Sequence, residues 1–502
     1  MTKLLGMYEE HDKYELGYPG GPEKQLSCDI VVVGGGGSGL SAAVRAAQLG
    51  AKVIVVEKLD SLGGNSNLAG GLLATNSKTL TAQGLPDKRE EFIKTNFHKH
   101  GYTLNSALIR RYINNAGTFY DWLVEMGFDT ENTRYLMDAV VTLKKRADPG
   151  PLNHPSFGPG NTGSVIVDLF KKQLEPLGIQ VLMSTKVLEL LKDETGITGV
   201  LAKGQNESYR IDAKAVILSS GGFGANPEML RRFLPLYFSS DNYFSHYCLS
   251  STTGDGIAMA EAIGAEVGKN ISVGLDAMNH VPGTYTMQLV ADCKSCIIVN
   301  GHGKRFIAED DTSGGALVMD MQPQGIGYFL FSEDRKESLF QEVLDQVWFD
   351  DRSPTWEEFL SDIQKEISEG KMLYGETLTD LAKEIGCAPE SLEKTIDHYE
   401  GFCEKGHDDE FYKDPQYLKS FGNGPWYAVK LYRKFDVTMG GVSVNEHIQV
   451  LTPDQQPIPG LYATGDVASN WMGTEYGPLF SSFCWAMNSG FLAAEEAVST
   501  LK

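Results

Sequence analysis

The stretch CDIVVVGGGGSGLSAAVRAAQLGAKVIVVEK, residues 28–58, limits the possible folds more than any other part of the chain. Ile30 to Val33 form a β-branched apolar run, the pattern of a strand buried on both faces. Gly34-x-Gly36-x-x-Gly39 follows, and a helical pattern then runs from Leu40 to Leu49. Gly50 ends that helix, a second strand is expected from Lys52 to Val56, and Glu57 closes the unit. Gly34 permits a tight turn, Gly36 lets backbone approach a pyrophosphate, and Gly39 lets the helix pack on the strand. The helix N-terminus offers free N–H groups and a positive dipole end to the phosphates. Glu57 is placed to accept hydrogen bonds from a ribose diol. Strand, turn, helix, strand and acid in this register predict a dinucleotide site in an α/β fold.

At 502 residues the chain exceeds the usual size of one core, so two or three domains are expected. A formal net charge of −22 disfavours nucleic acid and anionic membrane as non-specific partners. Seven scattered cysteines do not form a disulfide framework and fit a reducing compartment. The N-terminus has no apolar signal segment, and no run approaches the length of a membrane span. A cytoplasmic protein with no membrane span is therefore expected. No metal-ligand cluster stands out. Cys293-Lys294-Ser295-Cys296 is followed by Ile297, so it is no haem-attachment motif and reads as two buried thiols.

Two further segments choose between FAD and NAD. LGGNSNLAGGLL, residues 62–73, is rich in small residues and lets backbone run against a flat ring. PIPGLYATGD, residues 457–466, is a short strand closed by Gly465-Asp466, an acid placed to hold ribityl hydroxyls. A nicotinamide enzyme would leave both without a role.

With these residues the chain resembles the fumarate reductase/succinate dehydrogenase flavoprotein family, in its soluble branch. The resemblance runs from about Cys28 to the end, through GGGGSGLSAA, GGNSNLAGG, ILSSGGFGANPEML, TTGDGIAMAEAIGA, NGHGKRFIAED and TMGGVSVN. It implies an α/β fold, a Rossmann-like FAD-binding domain with an inserted α+β capping domain. The expected divisions are an N-terminal extension over 1–27, FAD domain over 28–234, cap over 235–355, and helical return plus FAD domain over 356–502. The cofactor contacts implied are Gly34, Gly36, Ser38, Gly39, Glu57, Lys58, Gly63, Gly64, Asn65, Ser66, Ala69, Gly70, Gly71, Val187, Asp255, Gly465, Asp466, Ser481 and Ser482. Some members bind FAD through a histidine in the segment matching Gly64 to Gly71, which here contains none, so non-covalent FAD is expected.

The resemblance places substrate between cap and flavin, with hydride exchanged through flavin N5. Dicarboxylate reductases of the family clamp both carboxylates with arginine and histidine, the arginine favoured for its planar fork. Their histidines precede a Met-Gly-Gly matching Met439-Gly440-Gly441, where this chain has Asp436-Val437-Thr438. The arginine slot, counted back from Gly490, falls at Gly477. Beside it Tyr476 matches the tyrosine with which 3-ketosteroid dehydrogenases polarise a ketone, although Phe480 stands where they carry glycine. Arg335 resembles the proton-donating arginine of fumarate and urocanate reductases, with Glu309 as its relay acid. Tyr285 is the cap tyrosine named for proton transfer. The expected enzyme is an FAD-dependent oxidoreductase acting on CH–CH groups, reducing or introducing a C=C bond conjugated to a carbonyl. Its small-molecule substrate is ketosteroid-like or another enone. A separate electron donor or acceptor completes the cycle. The alternatives are an enoate reductase using Arg335 and a flavoprotein electron-transfer subunit.

Overall fold

Ile30–Val33, Val53–Val56 and Ala215–Leu218 lie side by side as parallel strands, with every residue buried. A strand with no solvated face needs no polar alternation, so each reads as a continuous apolar run. The computed structural model describes residues 24–144, 161–235, 238, 242–245, 248–274, 277–280, 283–311, 315–345, 353–473 and 481–501. Within them this sheet has six strands, ordered Gln449–Leu451, Pro457–Ala463, Ala215–Leu218, Ile30–Val33, Val53–Val56 and Gln180–Leu182. Neighbours are parallel except the outermost pair, Gln449–Leu451 with Pro457–Ala463. A segment from near the C-terminus thus completes a sheet begun at residue 30.

The first helix runs Gly37–Gln48, beginning inside the glycine motif rather than at Leu40. The final helix, Ser481–Thr500, packs on it, and their backbones touch. A Cβ added at Gly490 would lie 2.1 Å from the Ser38 carbonyl oxygen. Across the sheet, Gly196–Lys203 of a separate four-stranded sheet packs on Ala215–Leu218 and Pro457–Ala463.

A second large sheet is organised about the ten-residue strand Trp426–Phe435. Tyr243–Ser245 and Gly327–Ser332 flank it, Ile297–Asn300 pairs with the latter, and Ala277–Asn279 and Met372–Gly375 also pair with the long strand. One apolar cluster holds Phe329, Phe331, Phe359 and Ile363, and another holds Leu330, Leu381, Leu392 and Tyr399. Successive side chains of a strand face opposite ways, so Phe329 and Leu330 feed different clusters. The boundary drawn at residue 355 cuts through this sheet, because Met372–Gly375 and Trp426–Phe435 belong to it. The helical stretch 376–403 is two helices, Leu378–Ile385 and Pro389–Lys405, separated at Gly386 with φ +86°. Their apolar faces cover the same sheet.

Candidate active site

The five parallel strands of the first sheet deliver their carboxyl ends to one cleft. After Ile30–Val33 come Gly34, Gly36 and Ser38; after Val53–Val56 come Glu57 and Lys58; after Gln180–Leu182 come Thr185, Lys186 and Val187. Ser219, Ser220 and Gly221 follow Ala215–Leu218, and Asp466 follows Pro457–Ala463. Ligands of open α/β sheets bind at this edge, where loops and helix N-termini converge.

The glycines meet the steric demands expected of them. Gly34 has φ +107°, and a Cβ there would lie 2.5 Å from the Ser219 carbonyl oxygen. A Cβ at Gly39 would come within 1.9 Å of the Gly34 carbonyl oxygen. At Gly36 the nearest atom would be the Gly63 carbonyl oxygen at 3.9 Å, so its missing side chain leaves room on the cleft side. Glu57 is buried, and its carboxylate accepts from the N–H groups of Gly35 at 2.6 Å and Leu59 at 2.8 Å. Each oxygen keeps a lone pair for a ribose hydroxyl. Lys58 Nζ reaches Asp255 at 2.8 Å and the Thr253 hydroxyl at 3.0 Å, and Lys186 Nζ lies 3.4 Å from the other Asp255 oxygen.

Of the expected cofactor contacts, Gly34, Gly36, Ser38, Glu57, Lys58, Gly64, Asn65, Ser66, Val187, Asp255 and Asp466 line the cleft. Gly39, Gly63, Ala69, Gly70, Gly71, Gly465 and Ser482 do not; they shape it from behind. Gly63, at φ +113°, donates to the Gly35 carbonyl and starts the short helix Gly64–Leu68. The Ala69 and Gly70 carbonyls accept from Gly163 N–H and the Thr142 hydroxyl, and the Gly71 carbonyl from the Cys484 thiol. Gly465 is held by the Ser489 hydroxyl and the Trp485 indole N–H. The Ser482 hydroxyl donates to Asp466 at 2.7 Å. The Ser481 side chain lies outside the described residues. Reading the sequence missed Thr185, Lys186 and Ser219–Gly221, whose signal was their place just after strands of a parallel sheet.

Burial pushes the Asp466 carboxyl up to about 6, opposed by the Ser482 hydrogen bond. A carboxyl whose value rises on folding lowers stability as pH climbs from about 4 to 6, because the native state holds the proton more tightly than the unfolded chain. Asp466→Asn in cofactor-free protein should therefore raise the melting temperature at about pH 8 and change it little near pH 4. FAD content should fall in the same variant. Equal melting shifts at the two pH values would count against this account.

The catalytic candidates separate. Arg335 is buried in the second sheet's surroundings, its Nε on the Ser338 hydroxyl at 3.1 Å, Nη1 on the Ser420 carbonyl at 3.3 Å and Nη2 on the Ser295 hydroxyl at 2.7 Å. Glu309 instead accepts from Ile298 N–H, Arg305 and Lys413. None of these bonds links Arg335 to Glu309, and neither residue lines the cleft, so the expected relay is not assembled. Tyr285 opens the helix Tyr285–Val290 and lines a different groove with Thr284, Pro354 and Glu358. Tyr476, Gly477 and Phe480 lie outside the described residues.

Asp436 supplies what the sequence did not foresee. It is 4% exposed, and burial raises its carboxyl above the ordinary value while Lys434 Nζ, 3.1 Å away, opposes the rise. Two residues on, the Thr438 hydroxyl accepts the Phe223 N–H at 2.7 Å, beside the Ser219–Gly221 wall of the cleft.

A family model described as FAD binding domain matches residues 29–478. The chain belongs to this family. It is 29% identical to the vinyl phenol reductase of Lactiplantibacillus plantarum, over 93% of this chain and 95% of that protein. It is 29% identical to the urocanate reductase of Eggerthella lenta, over 93% of this chain and 74% of that one. The open conformation of a flavocytochrome c3 fumarate reductase superposes with a TM-score of 0.72 at 26% identity, covering 95% of this chain and 79% of that one. Membership makes the protein an FAD-dependent oxidoreductase acting on CH–CH groups. The cleft fits that cofactor, with an open backbone approach at Gly36, an acid at Glu57 and another at Asp466. Among the described residues no helix is long and apolar enough to cross a membrane, and no group of side chains could hold a metal ion.

Proposed function

We propose that the protein reduces, or introduces, a C=C bond conjugated to a carbonyl in a substrate that is not a dicarboxylate. The observation that carries this is Asp436, a buried carboxylate at the position where dicarboxylate reductases of the family place a histidine. A carboxylate there repels the group that the histidine would bind. Bound FAD supplies or accepts the hydride. Gly36 and the N-terminus of Gly37–Gln48 hold its pyrophosphate, Glu57 a ribose, and Asp466 with Ser482 the ribityl chain. The attachment is non-covalent, since residues 64–71 contain no histidine. Tyr476 is the proposed hydrogen-bond donor to the substrate carbonyl, and electrons come from or go to a separate partner.

A singly charged enoate is the second reading, supported by likeness to the urocanate reductase. It needs a proton donor other than Arg335, whose guanidinium is bonded to Ser338, Ser420 and Ser295. Reduced holoenzyme mixed rapidly with an enone, a mono-enoate and fumarate separates the readings by the rate of flavin reoxidation. Fast reoxidation by the enone is expected; fast reoxidation by fumarate overturns the proposal. Tyr476→Phe should slow the enone reaction about 10²-fold, the loss of one oxyanion donor, and an unchanged rate removes Tyr476 from the chemistry.

A further inference from the structure

We infer that Asp436, Lys434, Asp292 and Asn279 form a subsite that binds a hydroxyl group of the substrate, phenolic or alcoholic, at a point away from the reacting double bond. The inference rests on the proposed function for its location beside the flavin cleft. In the pairing of Ala277–Asn279 with Trp426–Phe435, Asn279 stands opposite Tyr432 and Ala277 opposite Lys434. Alternation then puts Asn279 and Lys434 on one face of the sheet. Asn279 Nδ2 donates to Asp292 Oδ1 at 3.3 Å, which fixes the amide orientation and turns Oδ1 the other way. Lys434 Nζ lies 3.1 Å from Asp436 Oδ1. Thr438, two residues beyond Asp436, touches the backbone next to the cleft wall.

The cluster is short of donors. Asn279 is 8% exposed and its Oδ1 accepts no hydrogen bond; Asp436 is 4% exposed, with the Lys434 ammonium 3.1 Å from Oδ1 and no partner on Oδ2. Buried acceptors in native proteins are nearly always satisfied, and exceptions mark strain, water or a ligand. Buried acceptors left open on the sheet face that carries Lys434 call for a group that brings a proton. A substrate carboxylate brings none and faces two acids. A second ammonium would add charge where Lys434 already stands between Asp292 and Asp436. A hydroxyl meets these conditions, donating to Asp436 or Asn279 and accepting from Lys434.

The test measures binding apart from turnover. Holoenzyme with oxidised FAD is titrated with benzylideneacetone and its 4-hydroxy, 4-amino and 4-carboxy derivatives, following the flavin absorption band. The 4-hydroxy compound should bind about tenfold or more tightly than the parent, because unpaired polar groups penalise the analogue that lacks the hydroxyl. The 4-carboxy compound should bind more weakly than the parent. Asp436→Asn and, separately, Asn279→Leu should bring the hydroxy-to-parent ratio towards one; either variant that retains FAD suffices. A wild-type ratio near one, no detectable binding of either, or a ratio unchanged in the variants overturns the inference, a water then filling the space. Tightest binding by the 4-amino compound overturns the choice of a hydroxyl. Turnover of these enones is read separately: its absence counts against the proposed function and leaves the binding ratio to decide the subsite.

Discussion

Gly39→Val should yield protein that no longer holds FAD. Even the first carbon of the new side chain would lie 1.9 Å from the Gly34 carbonyl oxygen, inside any tolerable contact. That carbonyl cannot swing away cheaply, because Gly34 is itself at φ +107° and pressed against the Ser219 backbone. The helix Gly37–Gln48 must therefore retreat from the strand, and its other side already meets the final helix at Gly490. Overpacking of this kind costs about 3 kcal/mol. If that displacement falls on the phosphate-binding turn, affinity drops by roughly two orders of magnitude. The ratio of flavin to protein absorbance measures it directly. A purified variant with one FAD per chain would show that the turn tolerates the side chain.

Glu309→Ala is expected to cost about 3–5 kcal/mol of stability, the usual effect of removing one partner from a buried ionic network. Arg305, Glu309, Asp408 and Lys413 are all buried, with two cations against two carboxylates. Alanine leaves the two cations with buried Asp408 and the more distant, exposed Glu410, and also orphans the Ile298 N–H. Burial alone would push Asp408 up, but the Arg305 hydrogen bond and charge hold it below its ordinary value. A carboxylate lowered on folding adds stability above its unfolded value and loses it as pH falls through the folded one. Wild-type stability should thus decline below about pH 4, and the variant should start lower at neutral pH. Thermal melts across pH check both statements. Had Glu309 been a proton relay, Glu309→Gln would depress kcat and leave the melting temperature alone; the structure predicts the reverse.

The parts read correctly from sequence were those with local causes. A strand–turn–helix with glycines at 34, 36 and 39 depends on backbone sterics within about ten residues, and the structure places Gly34 and Gly39 against neighbours that exclude a side chain, while Gly36 opens on the cleft. Belonging to an FAD-binding family follows from many such segments in one order. Glu57 and Asp466 line the cleft, and their place just after strands of the parallel sheet made that position legible.

Residues whose meaning depends on distant partners were misread or missed. Arg335 sits three residues after a strand, as a proton donor might, but its fork is taken by Ser295 and Ser420, 40 and 85 positions away. Glu309 finds Lys413 across 104 residues, and Arg305 finds Asp408 across 103. The second sheet likewise draws strands from both sides of residue 355, since a sheet recruits strands without regard to where the chain resumes. Asp436 looked like a mere absence of histidine until the fold buried it beside Lys434. By itself the sequence determined the cofactor and the sheet that carries it, because those requirements repeat at short spacing. Only the tertiary structure decided which charges are paired and which acceptors stand empty, because pairing is a property of atoms brought together in space.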